Sequence, residues 1–187
     1  MTDAGAGGGA APALPDSGSA RAAPGRGAGG GAESRGAGGT LVVGYGNALR
    51  SDDGLGWCAA ARLAEDPRLR GATVLAQHQL TPELAVDMSA ASLVVLIDAS
   101  ATDEAGAISV RRIDAASEAG SAWSHHLEPA GLVALARELW GASPAVFTVS
   151  VGVASLDVGD RLSPTVERAL PDVVDAVAAI VEEHGRA

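Results

Sequence analysis

Residues 92–97 (SLVVLI) are the most continuous apolar run in the chain and end at an acid, Asp98. A run this short, built from leucine and β-branched residues, is what a central parallel strand covered on both faces requires. Such a strand obliges the rest of the chain to supply helices for two faces.

The flanking sequence supplies them. Residues 40–44 (TLVVG) read as a first strand, followed over 52–65 by a helical spread of Leu55, Cys58, Ala59 and Leu63. A second strand over 72–76 leads to a helix reaching about 89, with Thr81 suited to the N-cap and Pro82 to the first helical position. Residues 108–113 alternate and carry Arg111 and Arg112, which predicts an edge strand with one wet face. Leu132, Leu135, Ala136 and Leu139 share one face of a helix over 129–140, and 146–151 form the last strand. The final helix opens at Ser163-Pro164 and keeps one apolar stripe from Val166 to Val181, so Pro171 should kink it rather than end it. Strands alternating with helices predict an α/β fold: a three-layer, doubly wound, mostly parallel sheet of about five strands with helices on both faces.

Composition separates this domain from what precedes it. Of 25 glycines, 13 lie in residues 1–39, where three acids balance three arginines. A stretch of Gly, Ala, Ser and Pro without aromatics cannot bury enough apolar surface to offset its ordering entropy, so 1–39 is expected to be a disordered tail and 40–187 the folded domain. The whole net charge of −10 then falls on the domain. An acidic domain gains nothing electrostatically from nucleic acid or an anionic membrane, and neither is expected as a partner. The tail lacks an apolar signal-peptide core and no run is long enough to span a membrane, which points to a cytoplasmic protein. The single cysteine, Cys58, excludes an internal disulfide and a thiolate metal cluster; on the apolar side of its helix it reads as a core residue.

In a doubly wound sheet, the loops after the strand C-termini share a crevice, deepest where the winding reverses between the first and third strands. Three features converge there: the loop from Gly44 to Gly54, Asp98, and Ser124-His125-His126. A dinucleotide fingerprint fails, since leucine stands at 49 where glycine is needed and two acids occupy the pyrophosphate position. A phosphoryl receiver would use an acidic pair and a lone aspartate, but also a lysine after the last strand, and this chain has no lysine at all. Asp53, Asp98 and one histidine of the 125/126 pair make a mixed oxygen and nitrogen donor set that nickel or zinc accepts and magnesium would not select. Asp52 reads as an N-cap or first-turn acid, and Gly44 and Gly46 as positions allowing a tight turn and close backbone approach.

The pattern Gly44-x-Gly46-Asn47-x-Leu49-x-x-Asp52-Asp53-Gly54-x-Gly56 resembles the opening signature of the hydrogenase maturation proteases. Leu96-Ile97-Asp98-Ala99, Ser124-His125-His126 and Leu162-Ser163-Pro164-x-Val166-Glu167 follow in that family's order, and the match covers about residues 40–183. The resemblance implies an endopeptidase that removes the C-terminal extension of a nickel-iron hydrogenase large-subunit precursor. It implies Asp53, Asp98 and His126 as nickel ligands and catalytic residues, the nickel arriving with the precursor, with zinc or cadmium as possible substitutes. Gly44, Gly46, Asn47 and Thr81 are the expected substrate contacts, and a monomer is the expected state. The first ligand is aspartate here where many relatives have glutamate, and residues 77–84 lack the glycines common in that loop. The alternatives from other classes are a non-catalytic checkpoint module that binds metal or precursor and, third, a receiver-type phosphoacceptor at Asp98.

Overall fold

The computed structural model describes residues 38–113 and 127–186. Its order is β1 (Gly39–Tyr45), a 3₁₀ turn (Ser51–Gly54), α1 (Leu55–Glu65), β2 (Thr73–Gln77), α2 (Leu84–Ser89), β3 (Ala91–Ala105), β4 (Ile108–Ile113), α3 (Pro129–Trp140), β5 (Ala145–Gly152) and α4 (Pro164–His184). The sheet runs β2-β1-β3-β5-β4, parallel except for β4, which pairs antiparallel with β5 at the edge. The winding reverses between β1 and β3, so the predicted crevice lies at their C-terminal ends.

Alternation along the central strands sorts the core into two layers. Leu93, Val95 and Ile97 of β3 pack with Leu55, Ala59 and Leu63 of α1 and with Val166, Leu170, Val173 and Val177 of α4. Val94 and Leu96 face the other way, against Leu84, Ala85 and Met88 of α2 and Leu132, Val133 and Ala136 of α3. All five strand residues are wholly buried, as the apolar run demands. The predicted three-layer α/β fold is therefore the observed one. Helix α4 continues through Pro171, its apolar stripe holding phase on both sides.

Several boundaries differ from expectation for local reasons. The first helix does not start at 52: a 3₁₀ turn occupies 51–54 because Ser51 sits at φ 44° and Asp52 commits its carboxylate elsewhere. Thr81 does not cap α2; the backbone bonds Leu84 N–H to Thr81 O, Ala85 N–H to Pro82 O and Val86 N–H to Glu83 O delay the α-helix to Leu84. Strand β3 runs past Asp98 to Ala105, and a turn at Gly106, with φ 83°, leads straight into β4, so no helix separates these two strands. No helix among the described residues is long and apolar enough to cross a membrane.

Candidate functional site

The β1–β3 register sets two side chains next to each other. Gly44 pairs with Ile97, so Tyr45 and Asp98, one residue further along each strand, are neighbours. By alternation both face the α2–α3 layer, and the Tyr45 hydroxyl hydrogen-bonds the Asp98 carboxylate. The Ala99 N–H donates to Asp98 Oδ1 at 2.8 Å. Burial pushes the Asp98 carboxyl up to about 6, with the Asp53 carboxylate adding to the rise and the two hydrogen bonds opposing it. Burial and then the Asp98 charge hold the Tyr45 phenol above its ordinary range, so it remains a donor.

Asp53 reaches this point from the loop after β1. The Asn47 N–H donates to Asp53 Oδ2 at 3.0 Å, and Asn47 Oδ1 accepts the Leu49 N–H at 2.9 Å, so one asparagine organises the loop and orients the acid. The glycines of the signature make the geometry possible. A Cβ at Gly44 would overlap the Gly56 carbonyl oxygen, so the paired glycines let α1 lie directly against β1. Gly46 has φ 134°, and a Cβ there would overlap the Asp53 carbonyl oxygen. Its own carbonyl accepts the buried Trp57 indole N–H at 2.9 Å, tying the loop to α1.

Asp52 is fully buried at 0 % exposure, and its carboxylate accepts three backbone N–H groups. Ala154 and Ser155 donate to Oδ2 at 2.8 and 2.9 Å, and Ser163 donates to Oδ1 at 2.6 Å. This corrects the N-cap reading: Asp52 clamps the loop after β1 to the loop after β5 and to the start of α4. The Ser163 hydroxyl in turn caps α4 at Val166 N–H.

The Asp53 charge thus acts on Asp98, with Gly44, Gly46 and Asn47 shaping the loop that carries Asp53. Thr81 is not joined to them; its side chain hydrogen-bonds the Glu83 carboxylate. Trp123, Ser124, His125 and His126 lie outside the described residues. The chain resumes beside the site, where the Glu128 charge acts on Tyr45 just before α3. Among the described residues no three His, Cys, Asp or Glu side chains form a metal site, so the pair of carboxylates needs a further donor to complete one. His78 is exposed, and His184 hydrogen-bonds Ser92 at the start of β3. Burial pushes the Cys58 thiol up to about 11, which suits a core residue and not a nucleophile. Tyr45 is the site residue that the sequence reading missed. Its signal was the strand register, which places it beside Asp98 once β1 and β3 are known to pair in parallel.

Two acids converging at the reversal of a doubly wound sheet define a class: three-layer α/β proteins with an acidic centre at the strand C-termini. Solved structures of the same architecture make that class narrower. The hydrogenase maturating endopeptidase HybD from E. coli superposes with a TM-score of 0.65 at 23% identity, over 79% of this chain and 94% of that one. The nickel-iron hydrogenase maturation protease HycI from Thermococcus kodakarensis gives 0.61 at 22%, over 79% and 94%. A hydrogenase 2 maturation peptidase from a Thaumarchaeota archaeon gives 0.60 at 23%, over 77% and 98%. No protein-family profile and no curated protein matches the sequence. The chain has the fold of the hydrogenase maturation proteases, the family its glycine and aspartate signature resembles.

Proposed function

We propose that this protein is an endopeptidase that recognises nickel in the precursor of a nickel-iron hydrogenase large subunit and cleaves off its C-terminal extension. The observation that carries the reading is the approach of Asp53 to Asp98 at the sheet reversal of this fold. Two carboxylates whose charges oppose each other gain from a shared cation, and nickel held by the precursor is that cation. Asp53, Asp98 and His126 are assigned as the protease's nickel ligands. Three ligands of this kind hold a free ion less firmly than one already bound to the precursor, which makes cleavage conditional on metal insertion. Nickel supplies Lewis acidity at the scissile carbonyl or at water. Tyr45 fixes the Asp98 carboxylate, and Asn47 fixes that of Asp53.

The test is intact-mass analysis of nickel-loaded and nickel-free precursor after incubation with the protein. Loss of the extension from the loaded precursor alone is expected. Equal processing of both would remove nickel recognition, and binding without any mass change would leave a checkpoint module in place of a protease. Asp53→Ala, Asp98→Ala and His126→Ala are each expected to abolish processing while circular dichroism stays native. Retained activity in His126→Ala with loss in His125→Ala would move the ligand to the neighbouring imidazole.

A further inference from the structure

Strand β5 changes character along its length on one face only. Val149 and Val151 pack into the α1–α4 layer and Phe147 borders it, so that face is apolar to the end of the strand. On the other face Val146 belongs to the α2–α3 core, but the next two positions are Thr148 and Ser150, both half-buried. A parallel strand covered on both faces would carry apolar side chains there. Register puts the second of these hydroxyls at the acidic centre. Ser150 is the Cα partner of Asp98 in the parallel β3–β5 pair, so the two side chains share a face on strands about 4.8 Å apart.

The neighbouring polar groups are already committed. The Asp98 carboxylate takes its hydrogen bonds from the Ala99 N–H and from the Tyr45 hydroxyl of β1. The Thr148 hydroxyl donates to Arg111 O at 3.4 Å. Among the described residues the Ser150 hydroxyl has no hydrogen-bond partner. A peptide entering this end of the sheet meets carboxylates, which when ionised only accept hydrogen bonds and repel a carbonyl oxygen. With the Tyr45 proton held by Asp98, Ser150 is the side-chain donor left on the two strands that flank this acid.

We propose that Ser150 is a substrate-contact residue, its hydroxyl donating to a main-chain carbonyl of the hydrogenase precursor segment that reacts at the aspartates; this rests on the function proposed above. The test compares the wild-type protein with Ser150→Ala, and with Ser109→Ala as control, since Ser109 pairs with Ser150 on β4, one strand farther from Asp98. Steady-state cleavage and equilibrium binding of nickel-loaded precursor are measured on full-length proteins of native melting temperature. Ser150→Ala is expected to raise KM and weaken binding about tenfold with kcat unchanged, while the control matches wild type. A loss confined to kcat would mean that Ser150 acts on Asp98 and not on the precursor, and would overturn the proposal. So would an unchanged KM, or an equal effect in Ser109→Ala. If the wild type cleaves no precursor, the protease reading fails and binding alone judges the contact. Weaker binding by Ser150→Ala then supports it, and equal or absent binding overturns it.

Discussion

Adjacent in one 3₁₀ turn, Asp52 gives its carboxylate to three backbone N–H groups while Asp53 gives its own to Asn47 and the crevice. The difference is one of partners, and it separates stability from chemistry. Asp52→Ala is expected to cost about 3 kcal/mol, because three buried donors lose a charged acceptor; Asp52→Asn should cost less, since its amide oxygen still accepts. Urea unfolding of both variants checks this, and a cost in Asp52→Ala no larger than in the exposed Asp157→Ala would contradict the clamp. Asp98 carries a pH signature. Its folded pKa, about 6, lies above the ordinary 3.8. The folded state therefore holds this proton more tightly, so its stabilising contribution is complete below 3.8 and is lost as pH rises through about 6. Asp98→Asn, neutral throughout, is expected to melt above the wild type at about pH 7.5 and to lose that advantage at about pH 4. Parallel melting curves for the two proteins would show that the carboxyl is not perturbed.

At the scale of elements, the contact between β1 and α1 decides whether the site forms. Gly44 and Gly56 meet where a Cβ on Gly44 would run into backbone, and backbone cannot move aside as a flexible side chain would. Gly44→Ala is expected to cost about 3 kcal/mol or more and to displace the loop carrying Asn47 and Asp53. Thermal denaturation checks the stability. A Gly44→Ala protein melting within about 2 °C of wild type would mean that helix and strand separate freely. Most elements were legible in the sequence. The bounds of α3 and β4 were anticipated, and those of α4 nearly so, because proline starts, apolar stripes and alternation are local signals. The starts of α1 and α2 were not. Each depends on hydrogen bonds in the approach to the helix, and for α1 the partners lie about a hundred residues away. The short connection from β3 to β4 was missed for a similar reason: residues 101–105 are exposed, and Ser100 and Ala105 both pair with Gly152 of β5, so a distant partner and not a local signal brings the chain round to β4.

For the whole molecule, the described core and the two acids lie within residues 38–186. The Gly- and Ala-rich composition of residues 1–37 offers little apolar surface to bury, so a chain beginning at Gly38 is expected to match the full chain in melting temperature and in processing of nickel-loaded precursor. A lower melting temperature in the shortened chain would assign residues 1–37 a structural role. The sequence by itself determined the covered central strand, the faces of the helices and the presence of two acids at strand ends. Periodicity and turn chemistry are properties of neighbouring residues, and a chain carries them before it folds. Only the tertiary structure decided what the Asp52 carboxylate holds, backbone N–H groups of the loop after β5 and of the start of α4, and that Tyr45 holds Asp98. These follow from strand register and loop pairing between segments as much as 111 residues apart. The free energy that fixes them exists only once the sheet has assembled.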